Sequence, residues 1–402
     1  MRAGLHPVYL DHASMGLPSP ATIGAVSSWI EVLASPDMTG TERSLKLFAA
    51  VERARQQAAS LIHVDPANVL LVENTSQGLG LLASSLPLDE GDNILVGDIE
   101  FLAAAVCWRS TSRKLRVEIR PVKTEGGRVL PDDFARVADS RTRVLVLSSV
   151  QEVSGFRCDL RAFCQLAKHL KAFLIVDGIQ EAGALHVDLK ETPIDAYCTG
   201  GSKWLRSPFG MGFLYVGPEL LAVLSPPAFG YMALREPGEG WQAYLQSGKR
   251  TPFDPLPEQQ DARRLLTGGM PNGVGAVALE QAIRDLRGIG TQTSNQRILT
   301  LIRALITELM ECGLNVCAVH DPSEERYLSG IVCFDMKTGT GAEKQLWACL
   351  LKSKVQVSLR YTTGIGGIRV SLHHDNTDED IQTLMEVLRR ELKRWRTSTA
   401  AR

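Results

Sequence analysis

The sequence predicts an α/β fold in two lobes, a large one built on a mostly parallel, helix-covered sheet and a smaller α+β one at its C-terminal side. Three observations carry this prediction. The 402 residues exceed what one hydrophobic core comfortably organises. From Ala21 to Val216, helix-like amphipathic runs alternate with short apolar runs rich in branched residues, the pattern of strands buried on both faces. After a proline-rich stretch the pattern changes to long helices and spaced strands. The composition is that of an ordinary globular chain, with 44 Lys and Arg against 45 Asp and Glu and a net charge of −1. That balance gives no electrostatic reason to expect nucleic acid or an anionic membrane surface as partner. No run of about 18 apolar residues offers a membrane span, and residues 1–7 lack the apolar core of a signal peptide. A cytoplasmic protein is the expectation.

The strands expected in order are 69–72, 93–96, 144–147, 173–176 and 212–215, each followed closely by Gly or a polar residue. In such sheets ligands collect at the carboxyl ends of the strands, so the residues just after each are the ones that matter. Residues 225–273 hold seven prolines and few periodic apolar positions, which marks a long, functional loop region. Helical patterns follow at 277–286 and 292–312. The smaller lobe is expected to hold strands near 328–334, 355–360 and 367–371 and a helix at 342–352. A last helix begins at Asn376 with acidic residues in its first turn and ends in a basic run that suits the helix dipole.

The eight cysteines, Cys107, Cys158, Cys164, Cys198, Cys312, Cys317, Cys333 and Cys349, form no Cys-x-x-Cys pair and no His-rich cluster. Neither a zinc site nor a disulfide framework is expected, and no metal. They read as small buried hydrophobes.

Two segments carry chemistry. Phe173-Leu174-Ile175-Val176-Asp177 delivers a carboxylate at the end of a buried strand, and Thr199-Gly200-Gly201-Ser202-Lys203 places a lysine 26 positions later. Alone, Asp177 is a strand-end cap and Lys203 a loop lysine. Together they suit pyridoxal 5'-phosphate, whose pyridine nitrogen needs a carboxylate to stay protonated and whose aldehyde needs a lysine amine for its Schiff base. Further pieces fall at strand ends. Thr75 and Ser76 follow the first strand and open a helix that can hold a phosphate. Phe101 follows the second strand and offers an aromatic face to a ring. Gln180 is placed to donate to the ring hydroxyl oxygen.

In these motifs and their order the chain resembles the class V aminotransferase-type, fold-type-I pyridoxal-phosphate enzymes, the group of cysteine desulfurases, isopenicillin epimerase-like proteins and carbon–sulfur lyases. The resemblance runs from Tyr9-Leu10-Asp11-His12-Ala13-Ser14 to Arg369-Val370-Ser371 and the helix starting at Asn376. It implies a seven-stranded-type sheet in a large cofactor domain over residues 19–284, a small domain over 285–402, and an N-terminal segment, residues 1–18, packed on the small domain. It implies Lys203 as the catalytic lysine, Asp177 as partner of the ring nitrogen, Gln180 at the ring oxygen, Ser202, Thr75 and Ser76 at the phosphate, and Phe101 in the stacking position. Arg369 matches the arginine that grips a substrate α-carboxylate, a role that suits a planar fork. An amino-acid substrate and a homodimer are further implications.

Three departures from the family pattern narrow the chemistry. Persulfide-forming desulfurases carry a nucleophilic cysteine between the counterparts of Arg360 and Arg369, whereas here the connection, Tyr361 to Ile368, has none. Met270 stands where relatives have a threonine that reaches the phosphate of the neighbouring subunit, leaving its backbone N–H, Thr267 or residues in cis to do so. In Ser149-Val150-Gln151-Glu152, where many relatives read His-Val-x-Asn, Gln151 or Glu152 is expected to face the cofactor ring. The reaction favoured is carbon–sulfur elimination without a persulfide cysteine, with epimerisation or transamination as alternatives. A non-catalytic cofactor-binding partner protein is the reading from another class.

Overall fold

The computed structural model describes residues 7–226, 228–319, 321–337 and 339–400. Its strands in chain order are β1 (Val8–Tyr9), β2 (Val69–Val72), β3 (Asn93–Gly97), β4 (Glu118–Val122), β5 (Thr142–Ser148), β6 (Phe173–Asp177), β7 (Ala196–Gly200), β8 (Gly212–Val216), β9 (Asn315–Val316), β10 (Ile331–Asp335), β11 (Val355–Gln356), β12 (Ser358–Thr362) and β13 (Ile365–Ser371). Seven of them form one sheet in the order β2-β8-β7-β6-β5-β3-β4. Only β8 runs against its neighbours β2 and β7; the remaining pairs are parallel. The mostly parallel α/β sheet expected from the sequence is therefore present.

Both faces of this sheet are buried, which explains the continuous apolar runs. Along β5, Leu145 and Leu147 join one core while Val144 and Val146 join the other, as side chains alternating across a strand must. Two strands of the sheet escaped the sequence reading. Edge strand β4 carries Glu118, Arg120 and Pro121 and is half-exposed, so no apolar run announces it, and an edge is where a strand tolerates proline. Strand β7 is wholly buried but reads Ala-Tyr-Cys-Thr-Gly, too small and polar for its length to stand out.

A four-stranded antiparallel sheet, β12-β13-β10-β9, forms the smaller unit. The helices 277–286 and 292–312 of the sequence reading are Gly273–Ile289 and Thr291–Glu311, and the last helix is Asp378–Ala400. The N-terminal segment crosses to this side. Strand β1 pairs in parallel with β11, the Ala13 N–H donates to Ser371 Oγ at 2.9 Å, and Asp11 bridges to Ser371. Among the described residues of 225–272, the helical elements are the short helix Trp241–Gln246 and two single-turn pieces, Tyr231–Ala233 and Ala262–Leu265. Phe253, Leu245, Phe229 and Tyr231 in this stretch are all exposed. Among the described residues no helix is long and apolar enough to cross a membrane.

Candidate active site

Because β2, β3, β5, β6 and β7 all point the same way, their carboxyl ends share one edge of the sheet. That edge receives Thr75 and Ser76 after β2, Glu100 and Phe101 after β3, Gln151 and Glu152 after β5, Asp177 at the end of β6, and Ser202 and Lys203 after β7. Asp177 is 1 % exposed. Its Oδ1 accepts the Ile179 N–H at 2.9 Å, yet burial raises its pKa to about 6 against the pull of that bond and of Lys203. Lys203 is the complementary case. Burial lowers its amine to about 8, with Asp177 working against the shift and Arg369 and Arg360 adding to it. Each charge makes the other tolerable, but the two groups form no ion pair, and Lys203 Nζ sits 5.7 Å from the centre of the Phe101 ring. An amine and a carboxylate that both titrate near neutrality are suited to proton transfer.

The backbone under Lys203 is held from below. The Gly16 N–H donates to the Ser202 carbonyl at 2.8 Å, and a Cβ at Gly16 would collide with the Lys203 carbonyl oxygen, so the N-terminal segment fits here only as glycine. Gly201, Ser207 and Met211 close the turn through the pairs Gly201 N–H to Met211 O and Ser207 N–H to Gly201 O, both 2.9 Å.

The helix Thr75–Ser85 is capped by Asn74, whose side chain accepts the Gln77 N–H. The Thr75 hydroxyl oxygen is buried and has no hydrogen-bond partner among the described residues. An unmatched buried hydroxyl is costly, and this one lies at a helix N-terminus, where unpaired N–H groups and the dipole favour an anion. It faces the end of β7, since a Cβ at Gly200 would lie 3.5 Å from it. Ser76 is exposed beside it. The donor set fits a phosphate, and with Asp177 and Lys203 it fits pyridoxal phosphate.

Other expectations take a different form in the structure. Gln180 is 1 % exposed, but it ties the site together: Nε2 donates to the Ala13 carbonyl at 3.1 Å and Oε1 accepts the Trp204 indole N–H at 2.8 Å, which leaves one amide proton for a ring oxygen. Gln151 is buried and donates to Glu100 Oε1 at 2.7 Å. Glu152 turns to Arg369 instead, its Oε2 2.6 Å from Nη1. Arg369, 1 % exposed, has its fork closed by the chain's own acceptors. Met270 and Thr267 are both exposed.

One residue the sequence reading passed over is Glu100. It accepts the Ser148 N–H at 2.9 Å, the Ser148 hydroxyl and the Gln151 amide, and burial still raises its pKa to about 7. Only its position directly before Phe101 could have drawn attention to it. Of the thiols, Cys158, Cys198, Cys317 and Cys333 are buried, and burial pushes the pKa of Cys158 and Cys198 upward. The connection between β12 and β13 is a two-residue turn, with Thr362 paired to Ile365 and Thr363 and Gly364 both at positive φ, as a tight hairpin requires.

The chain matches the family model "Aminotransferase class-V" over residues 8–384. It is 26 % identical over 353 residues to isopenicillin N epimerase of Streptomyces clavuligerus, covering 85 % of this chain and 84 % of that protein. It is 24 % identical over 396 residues to a probable cysteine desulfurase of Methanothermobacter thermautotrophicus, covering 95 % and 94 %. Among solved structures, apo cysteine desulfurase of Thermococcus onnurineus superposes with a TM-score of 0.81 at 20 % identity, covering 96 % of this chain and 95 % of that one. The cystine C–S lyase C-DES, in complex with its product cysteine persulfide, gives 0.84 at 18 % identity, covering 96 % and 97 %.

Proposed function

The chain belongs to the aminotransferase class-V family, and from that premise we propose that it is a pyridoxal-phosphate enzyme of the carbon–sulfur lyase type, acting at the α-carbon of an amino acid without a persulfide cysteine. The observation that supports cofactor binding most strongly is the Asp177 and Lys203 pair, with pKa values moved to about 6 and about 8, beside the unpartnered Thr75 hydroxyl. The absence of a thiol-bearing loop between Arg360 and Arg369, where the chain makes only a two-residue hairpin turn, supports elimination without a sulfur relay.

Bound in this site, pyridoxal phosphate would supply an aldehyde for amines and a ring that accepts electrons from a bond broken at the α-carbon. Thr75, Ser76 and Ser202 would hold the phosphate with hydroxyls and helix N-terminal N–H groups. Asp177 would be ionised at pH 7 and keep a proton on the ring nitrogen. The Lys203 amine, whose pKa burial lowers to about 8, would take the substrate's α-proton and return one. Phe101, whose ring centre lies 5.7 Å from Lys203 Nζ, would offer an aromatic face to the cofactor ring. We further place the homodimer interface on the exposed apolar residues of 225–273 and around Met270.

The test is to incubate purified protein with pyridoxal phosphate and then with cysteine conjugates. Cofactor absorbance followed by release of pyruvate and ammonia supports the proposal. Recovery of a substrate of inverted configuration, or of the pyridoxamine form of the cofactor, would replace elimination with epimerisation or transamination. A protein that stays colourless in excess cofactor would overturn the reading altogether.

A further inference from the structure

Arg369 has no donor left for a ligand. Its Nε–H goes to Ser358 Oγ at 3.0 Å, Nη1 to the Glu152 carbonyl at 3.1 Å and carboxylate at 2.6 Å, and Nη2 to Ser14 Oγ at 2.7 Å and Asp11 Oδ1 at 3.4 Å. Five contacts match the five N–H groups a guanidinium owns. A substrate carboxylate that entered this fork would replace one carboxylate by another and strand Glu152, whose side chain is only 15 % exposed. An uncompensated buried charge is a severe penalty, so exchange is disfavoured.

A second arginine stands open beside the first. Ser358 lies directly opposite Arg369 in the antiparallel pair β12 and β13, and Arg360, two positions along β12, shares that face by strand alternation. Its Nη2 lies 3.3 Å from Ser14 Oγ, the same hydroxyl that Arg369 holds. Arg360 is exposed, and it forms no ion pair among the described residues. Its charge also reaches the Lys203 amine, whose pKa is lowered first by burial and then by its cationic neighbours, Arg360 among them.

We propose that Glu152 fills the Arg369 fork as a built-in carboxylate and that the substrate's α-carboxylate is bound by Arg360. This rests on the amino-acid reading above and deepens it: Glu152 becomes a specificity-determining residue, and Ser14 the shared hydroxyl that sets the distance between the two arginines. No bond is made or broken in the step; one exposed guanidinium exchanges water for a carboxylate.

The experiment follows the cofactor absorbance of the holoenzyme during titration with L-cysteine, L-alanine and cysteamine, the last lacking a carboxylate. Arg360→Ala is expected to keep the cofactor absorbance, to raise the apparent dissociation constants of both amino acids at least tenfold, and to leave cysteamine unchanged. Glu152→Gln removes the competing charge without emptying the fork, and in the double variant with Arg360→Ala it is expected to restore amino-acid binding to within about threefold of wild type through Arg369. Wild-type amino-acid affinity in Arg360→Ala together with its loss in Arg369→Lys would overturn the proposal. So would a coloured wild type with no response to either amino acid, because the site then presents no open carboxylate receptor. A colourless wild type instead marks failure of the cofactor reading on which this proposal stands.

Discussion

Two carboxylate and cation pairs face each other across the site, and they are built oppositely. Asp177 is buried and Lys203 half-buried; they make no ion pair and have pKa values drawn toward each other, one up to about 6 and one down to about 8. Arg369 is buried and Glu152 half-buried, and the two are locked, 2.6 Å apart, with every guanidinium N–H engaged. The first pair stores instability that a ligand can relieve. The second has already relieved it internally. Reactive groups must be left wanting partners, whereas groups that hold two lobes and an N-terminal segment together are satisfied in advance.

The sharpest way to break the contrast is at Lys203. Lys203→Ala is expected to lower turnover by at least about 1000-fold, because the group that takes the proton is gone, while the overall fold, read by circular dichroism, is unchanged. Glu152→Ala comes next. It leaves Arg369 buried without its main counter-charge and should cost about 3–5 kcal/mol of stability, measured by urea unfolding of the apo form. A loss below about 1 kcal/mol would show that the pair is not closed in solution.

Asp177→Asn should do the reverse of Glu152→Ala, lowering turnover while stabilising the apo protein. A carboxyl whose folded pKa is raised from 3.8 to about 6 contributes full stability below pH 3.8 and loses it as pH rises through about 6. At pH 8 the ionised Asp177 therefore weighs against the fold, and asparagine should add about 1–3 kcal/mol. Glu100 follows the same sign, with a folded pKa of about 7 against 4.5. Wild-type apo protein should lose stability from pH 4.5 to 7, and Glu100→Gln should flatten that slope by about 1–2 kcal/mol. An unchanged slope in urea titrations at pH 5 and pH 8 would show that Glu100 does not carry the proton.

Most of the fold was legible because buried parallel strands announce themselves as apolar runs, and their carboxyl ends told where to look for chemistry. Asp177, Lys203, Thr75 and Phe101 were found that way, and the structure brings them to one edge. What the sequence could not express is direction. Gln151 and Glu152 were singled out, but nothing in a string of residues tells that one turns to Glu100 and the other to Arg369. Likewise Arg369 read as an open fork because the acceptors that close it, Asp11, Ser14, Glu152 and Ser358, come from three distant segments. Strand β7 stayed hidden because Ala196, Tyr197 and Cys198, though buried in the core, make no run of large branched residues like those of its neighbours.

The central claim, that the open pair is the cofactor site, is tested most directly by reducing the protein with borohydride in the presence of pyridoxal phosphate and mapping the modified peptide. The account predicts one pyridoxyl group per chain, on Lys203. Modification on a different lysine, or stoichiometric labelling that persists in Lys203→Ala, would contradict it.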